Sequence, residues 1–363
     1  MSDIISGGKI GWKLEDGIKI LNATPVVTKL SLIPSIFNII TVFLTSWVPF
    51  TVIRPQVVII SVPPGESSFL TFILAKLFRI KKVVIDFRDE WEDFAIQRSS
   101  SKVQRILYKF LKSLMTRCYI HSDLVITTTG SMKNGLLQRG IKNVKIVPNG
   151  ADIDIFKPQP NSKKILLREK LGLTSDDFVI VYSGMIGGYY KIDIVIRAIK
   201  KLRARIPCIK FILIGNGPDL NHVLDLAKEL ELENVVRYLG EKIDKHEISD
   251  IISICNLGVM PYDKNSLWKH TLPVKAFEYF ACGLPIAATT YEDSELGRLI
   301  LEQEVGMIAK PENENELFNI IEKMFFDNDF LKNAGERAYC LIKNRYDRNK
   351  IAEGLAEAIE DIK

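Results

Sequence analysis

Lys275 and Glu278, spaced i, i+3 in the run HTLPVKAFEYFACGLPIAAT (270–289), put an ammonium and a carboxylate on one face of a helix. The Cys-Gly-Leu-Pro turn behind them feeds an apolar, strand-like run. Such a pair is either a solvated salt bridge, worth about 0–1 kcal/mol, or a grip on a ligand at the carboxyl edge of a parallel sheet. In the second case the carboxylate accepts sugar hydroxyls and the ammonium meets a phosphate. A second candidate is Gly184-Met185-Ile186-Gly187-Gly188, which follows the run FVIVYS and precedes a helix opened by Tyr189, Tyr190 and Lys191. Glycines at a strand end let backbone N–H groups approach a phosphate, the helix dipole adds attraction, and Lys191 could cap the same anion. Loose glycine spacing is a weak signal, and a tight turn beside a solvated lysine explains it equally well. The turn GNGPD (215–219), which contains Gly217, reads equally as a connection or as a ligand loop.

Metal chemistry finds little support. The histidines, His121, His222, His246 and His270, have no ligand spacing, and only His270 falls within a motif. Asp152-x-Asp154 lies in a Pro-Asn-Gly-Ala-Asp segment that reads as a turn and helix cap, and Asp327-x-Asp329 reads as a turn between helices. Cys118, Cys208, Cys255, Cys282 and Cys340 are odd in number and never spaced Cys-x-x-Cys, which fits reduced thiols in a cytoplasmic protein. The N-terminal MSDIISGGKIGWKLEDG lacks the order of a secretory signal.

The elements that must position these residues alternate between apolar β-rich runs and longer helical patterns, the signature of parallel α/β architecture. One series runs VVIIS (57–61), the helical GESSFLTFILAKLF, VVIDF (83–87), a basic helix from about Ser101 to Arg117, LVITT (124–128) and VKIVP (144–148). A second runs FVIVYSG (178–184), KIDIVIRAIKKL, FILIGNG (211–217), HVLDLAKEL, VVRYLG (235–240), DKHEISDIIS, LGVMPY (257–262), a helix through Phe277–Phe280 and LPIAAT (284–289). The Pro- and Asn-rich stretch 148–164 separates them. At roughly 150 residues per domain, 363 residues suggest two domains.

Composition excludes disorder, collagen and coiled coil: the chain is 47% hydrophobic and 26% charged. A net charge of +5 does not argue for nucleic acid. Its distribution is uneven, with 20 basic and 10 acidic side chains in residues 1–150 against 29 and 34 in residues 151–363. A basic front half suits an anionic partner such as phosphate or a lipid surface. The helix SKVQRILYKFLKSLMTR sets Lys102, Arg105, Lys109 and Lys112 on one side and Val103, Ile106, Leu107, Phe110, Leu111 and Leu114 on the other. Between Lys29 and Arg54, Leu30 to Ile53 carry no charge, but Pro34, Pro49, Asn38, Thr41, Thr45 and Ser46 favour a core or interfacial helix over a membrane span.

The order of motifs VPNGADIDIF, YSGMIGGYYKIDIVIRAI, ILIGNGPD, VVRYLGE and PVKAFEYFACGLP resembles family 4 retaining glycosyltransferases of the GT-B fold. The likeness runs from about Val57 to the C-terminus. SVPPGESS (61–68) and DFRDEWEDF (86–94), similar to an Asp-x-Arg-Asp-x-Trp element, point to the branch that builds O-antigen, capsule and related surface polysaccharides. The resemblance implies two Rossmann-like domains facing across a cleft: residues 1–150 on the acceptor side, 151–340 binding a nucleotide-sugar, and a C-terminal helix (341–363) packing back toward the first. It implies Gly184, Gly187 and Gly217 near the donor, with Gly184 and Gly187 against its diphosphate. Lys191 takes the place of the family's phosphate-binding lysine. Glu278 takes that of the second glutamate of Glu-x7-Glu, on the ribose hydroxyls, and Lys275 that of the Pro-x-Lys-x-x-Glu-Tyr lysine. It implies an acceptor-side role for Arg88 and Asp89, with Asp89 orienting or deprotonating the attacking hydroxyl.

Three positions depart from the family pattern. His270 stands where the first glutamate of Glu-x7-Glu is expected, Met185 where many members carry an arginine, and the first domain opens short of about one βα unit, on the order of 30 residues or more. The expected function is retaining transfer of a hexosyl or N-acetylhexosaminyl group from a nucleotide diphosphate sugar, UDP by preference, to a surface polysaccharide or lipid-linked glycan precursor. No metal or other cofactor is expected, because positive charge and backbone dipoles stabilise the departing diphosphate. A cytoplasmic protein in peripheral contact with anionic membrane fits such an acceptor. The alternatives are a nucleotide-sugar-binding subunit or inactive relic that needs a partner for the missing piece, and a 2-epimerase of the same fold, against which the Pro-x-Lys-x-x-Glu-Tyr element speaks.

Overall fold

The computed structural model describes residues 11–15, 18–22, 47, 49–62, 65–241 and 243–362. β1 (Gly11–Glu15) and β2 (Ile18–Asn22) pair as an antiparallel hairpin separate from the two parallel sheets. Most of the charge-free run Leu30–Ile53 lies outside the described residues. Its described end, Pro49–Ile53, is one π-helical turn. Among the described residues no helix is long and apolar enough to cross a membrane.

Contacts divide the chain into two units. One takes the chain up to Thr128, Met132–Val147 and the end from Ala356, and the other takes Thr129–Ser131 and Pro148–Leu355. In the first, β3 (Val57–Val62), α1 (Gly65–Leu77), β4 (Lys82–Phe87), α2 (Trp91–Arg98), α3 (Lys102–Ile120), β5 (Leu124–Thr127), α4 (Gly130–Gln138) and β6 (Val144–Ile146) build a parallel sheet of order β3-β4-β5-β6. β4 and β5 are buried almost throughout, as strands covered on both faces must be.

Glu92 on α2 is 1% exposed. Arg139, just beyond α4, reaches it at 2.9 Å, and Tyr119 of α3 donates to its other oxygen at 3.1 Å. Arg139 also donates to Thr116 Oγ1 at 3.0 Å and lies over the rings of Phe87 and Tyr119. One ion pair thereby joins helices far apart in sequence.

Ser101 caps α3 by accepting from Gln104 N. The carboxyl half of the helix packs inward through Met115, Cys118 and Tyr119, whereas Val103 (76% exposed), Ile106 (68%), Leu107 and Phe110 (65%) face solvent. The apolar stripe legible in the sequence is therefore buried only at one end. Nor is Lys112 on an open basic face, since it clamps both carboxylate oxygens of Asp93 at 2.6 Å.

The second unit begins with α5 (Asn161–Lys170) and alternates β7 (Phe178–Ser183), α6 (Ile192–Leu202), β8 (Ile209–Ile214), α7 (Leu220–Glu229), β9 (Val236–Tyr238), α8 (Lys245–Ser253), β10 (Leu257–Pro261), α9 (Val274–Ala281), β11 (Ile286–Thr289), α10 (Glu295–Glu302) and β12 (Gly306–Ala309), then α11 (Glu314–Phe326) and α12 (Asn328–Leu341). Its six parallel strands run in the order β12-β11-β10-β7-β8-β9. α13 (Arg348–Glu360) continues from this unit into the first, where Lys82 Nζ caps the carbonyls of Ile359 and Glu360 at 2.8 and 3.0 Å.

Replacing Arg139 by alanine strands a buried carboxylate, and such losses cost about 3–5 kcal/mol. Urea unfolding of Arg139→Ala should show a deficit of that order; a loss below about 1 kcal/mol would mean that Glu92 is adequately solvated without its partner.

Candidate functional site

The strand order of the second unit reverses between β7 and β10, and the loops leaving their carboxyl ends open the crevice where ligands of such sheets bind. The Gly184–Lys191 loop leaves β7, and Gly215–Asp219 leaves β8. The β10 connection carries a 3₁₀ turn, Ser266–His270, before Pro273 admits α9. The first two loops interlock through their backbones: Ile186 N donates to Asn216 O at 2.9 Å and Asp219 N to Ile186 O at 3.2 Å. On the other side Lys191 N donates to Pro261 O at 2.8 Å and Asp263 N to Tyr189 O at 3.0 Å.

Several glycines at this edge are sterically required. Gly184 has φ +133°, and a Cβ there would lie 2.7 Å from Lys275 Nζ. Gly217 packs so close to Ile186 that a Cβ would run into its carbonyl oxygen. Gly187, at φ +108°, lies against the Asp219 carboxyl group.

Lys275 does not form the surface pair with Glu278 that helical spacing allows. It is 9% exposed, its Nζ donates to Tyr182 Oη at 2.9 Å, and it lies 4.2 and 3.7 Å from the ring centroids of Tyr182 and Tyr190. Tyr182 in turn donates to Met185 O, so the buried ammonium and the glycine turn are linked through one phenol. Burial pulls the Lys275 ammonium down to about 7, against the opposing pull of Glu278. Glu278, half-buried one turn on, is pushed above the ordinary carboxylate range by burial, and Lys275, Lys245 and Arg348 oppose the shift. Neither a hydrogen bond nor an ion pair engages its carboxylate among the described residues.

Lys191 is half-buried at the start of α6, with Nζ outside any ion pair among the described residues. His270 ends the 3₁₀ turn, and its carbonyl accepts from Thr129 Oγ1 at 2.8 Å. Gly184, Gly187, Lys191, Gly217, Lys275 and Glu278 thus share one edge of the six-stranded sheet. Arg88 and Asp89 lie in the other unit, in the loop after β4. Arg88 Nε pairs with Asp86 at 2.7 Å, and Ser61 donates to the second Asp86 oxygen at 3.2 Å. Desolvation raises the Asp89 carboxyl above the ordinary aspartate range, and the Arg88 charge beside it opposes the rise.

The residues missed from sequence are Asp86, which orients Arg88, and Tyr182 and Tyr190, which box Lys275. Asp86 had a signal, as the first member of the Asp-x-Arg-Asp element. The tyrosines had none, because their partner lies more than eighty positions away. Among the described residues no group of three or more His, Cys, Asp or Glu side chains could hold a metal ion. Asp152 accepts from Asp154 N at 3.0 Å in a turn, and Asp327 caps α12 by accepting from Phe330 N at 2.8 Å.

Two Rossmann-like units with four- and six-stranded parallel sheets define a GT-B fold. Residues 163–341 match the model of the family described as glycosyl transferases group 1. The D-inositol 3-phosphate glycosyltransferase of Stackebrandtia nassauensis is 27% identical over 219 residues, covering 57% of this chain and 47% of that protein. The lipopolysaccharide 1,2-N-acetylglucosaminetransferase of Salmonella typhimurium is 25% identical over 228 residues, covering 60% and 56%. The chain spans about half the length of these curated relatives. Anabaena Alr3699/HepE, solved in complex with UDP-glucose, superposes with a TM-score of 0.70 at 19% identity, covering 88% of this chain and 82% of that one.

A lysine near 7 in the folded state and about 10.4 when unfolded makes the unfolded chain bind more protons between those values, so stability rises with pH across that window. The wild type should therefore gain on Lys275→Met by about 1 kcal/mol per pH unit between roughly pH 7.5 and 9.5 in denaturant unfolding. A pH-independent difference would place the Lys275 ammonium in a solvated environment instead.

Proposed function

We propose that the protein is a retaining glycosyltransferase that moves a hexosyl or N-acetylhexosaminyl group from a UDP-sugar to a surface polysaccharide or its lipid-linked precursor. The observation that carries this reading is the half-buried carboxylate of Glu278, without a hydrogen-bond or ion-pair partner among the described residues, at the same sheet edge as the glycine turn and Lys191. A carboxylate so placed accepts the paired ribose hydroxyls of the nucleotide. The diphosphate then falls to the Lys191 ammonium, the amino end of α6 and the backbone of Gly187 and Gly188. Lys275, buried behind Gly184, keeps the turn in shape through Tyr182. UDP as the nucleotide is supported by the neighbours of this fold solved with UDP and UDP-glucose.

Transfer of this kind rests on stabilising the departing diphosphate, so the preorganised cation and dipoles contribute to the rate. On the acceptor side Asp89 orients or deprotonates the attacking hydroxyl. Its raised carboxyl pKa makes it a better base than an ordinary aspartate. Arg88, tethered to Asp86, supplies a fixed positive charge beside it. The exposed stripe of α3, with Lys102, Arg105 and Lys109 alongside and no acidic residue in the helix, suits a cytoplasmic enzyme resting on anionic lipid.

Thermal unfolding with nucleotide diphosphates and their sugars tests the donor site. UDP at about one hundred times its dissociation constant adds about 2.7 kcal/mol, and Glu278→Ala should lose the resulting shift. Asp89→Ala should abolish turnover and keep the shift. Nucleotide binding without turnover by the wild type would favour a nucleotide-sugar-binding subunit, and no shift with any nucleotide would remove the donor site.

Sedimentation with anionic vesicles at low salt tests the lipid contact. The wild type should pellet and Ile106→Asp/Phe110→Asp should stay in solution; equal pelleting of both would take the helix out of the interaction.

A further inference from the structure

The amino ends of β3 and β4, the sheet edge opposite Arg88 and Asp89, border a cavity of about 440 Å³. Arg54, Arg79 and Lys81 line it together with Phe50 and Phe78, whose rings stack 5.5 Å apart at 14°. No carboxylate among the described residues pairs with any of the three cations. Between Pro49 and Ile85 the sequence has one acidic residue, Glu66, near the amino end of α1. The 13-residue helix puts that end about 18 Å from the end that leads to Arg79.

Both arginines occupy left-handed backbone, Arg54 at φ +48° and Arg79 at φ +55°. Arg79 N donates to Lys76 O at 3.1 Å and Ile80 N to Ala75 O at 3.0 Å, a helix ending in which glycine usually takes the place of Arg79. Arg54 closes the π-helical turn, with its N–H on Pro49 O at 3.3 Å. Two cations thus sit at positions where glycine would be less strained, and strain held at a cavity wall is a pointer to a ligand.

We propose that this cavity binds a phosphate-bearing ligand with an apolar portion, the phosphate held by Arg54, Arg79 and Lys81 and the apolar portion laid against Phe50 and Phe78. Arginine forks match phosphate oxygens in pairs, and the aromatic wall gives the rest of the ligand a dry surface. Val52, Ile53 and Leu77, neighbours in sequence of the lining residues, are exposed and extend the apolar surface. A lipid headgroup and a soluble phosphate ester share this chemistry. The site is independent of the sugar-transfer reading, since no donor or acceptor residue belongs to it.

The test is calorimetric titration of the full chain with inorganic phosphate and with dihexanoyl phosphatidate below its micelle concentration, alongside sedimentation with phosphatidylglycerol vesicles. The variant Arg54→Gly/Arg79→Gly removes two charges while relaxing both turns, so its melting temperature should equal or exceed that of the wild type. Phosphatidate should bind the variant at least tenfold more weakly than it binds the wild type or Glu278→Ala. Inorganic phosphate lost in parallel would identify a soluble phosphate as sufficient, whereas a variant-sensitive response to phosphatidate and vesicles alone would identify the lipid. Equal phosphatidate affinity in the folded variant, or no binding of phosphatidate to the wild type, overturns the proposal.

Discussion

The Lys275 ammonium lies beneath the glycine turn that ends the central strand of the second unit. Taking an ammonium out of water costs several kcal/mol unless its surroundings replace the lost hydration. Here the replacement is two tyrosine faces and one phenol oxygen, with a carboxylate one helical turn away. Much of that sheet edge follows from accommodating the charge. Residue 184 must lack a side chain, Tyr182 must point its hydroxyl between the ammonium and Met185 O, and the turn so held meets the β8 loop backbone to backbone. Among the described residues no hydrogen bond or ion pair engages the Glu278 carboxylate on the same helix, which gives the site its chemical interest.

The first unit is organised around a different buried charge. Glu92 is sealed from water and satisfied by Arg139 and Tyr119, so α2, α3 and the end of α4 are tied to one point. That arrangement leaves the rest of α3 unsupported by the core and free to present Val103, Ile106 and Phe110 to its surroundings. Apolar side chains flanked by cations on an open face carry a free-energy cost in water that a lipid interface would relieve. The net charge of +10 over residues 1–150 is thus spread over sites with different physical roles. Arg88 is neutralised by Asp86, Lys112 by Asp93 and Arg139 by Glu92, while among the described residues no carboxylate pairs with Arg54, Arg79 or Lys81.

Much of the architecture was legible in the residues. The strands β4, β5, β7, β8, β10 and β11 show themselves because a parallel strand covered on both faces needs a near-continuous apolar run, and VVIDF, LVIT, FVIVYS and FILI supply it. The helices between them show the wider period of an amphipathic element, and Ser101 marks the start of α3 by its hydroxyl. The order of motifs pointed to the glycosyltransferase family and GT-B fold, and to Gly184, Lys191, Lys275 and Glu278 as one group, because all follow strand ends in a chain that alternates strand and helix. The N-terminal hairpin had no such signal, since neither strand resembles a buried run.

What only the tertiary structure decided is the identity of partners. Spacing along a helix made Lys275 and Glu278 neighbours, but burial against β7 turned the ammonium toward Tyr182, a residue 93 positions earlier. Glu92 and Arg139, 47 positions apart, found each other in the same way. Periodicity assigned Val103, Ile106 and Phe110 to a common face, while nothing local stated that this face would be left uncovered. The cavity between Arg54 and Arg79 exists only because two turns far apart along the chain meet at one sheet edge. A sequence encodes which side chains share a face through the repeat of its own backbone, whereas contact and burial depend on segments brought together by the collapse of the whole chain.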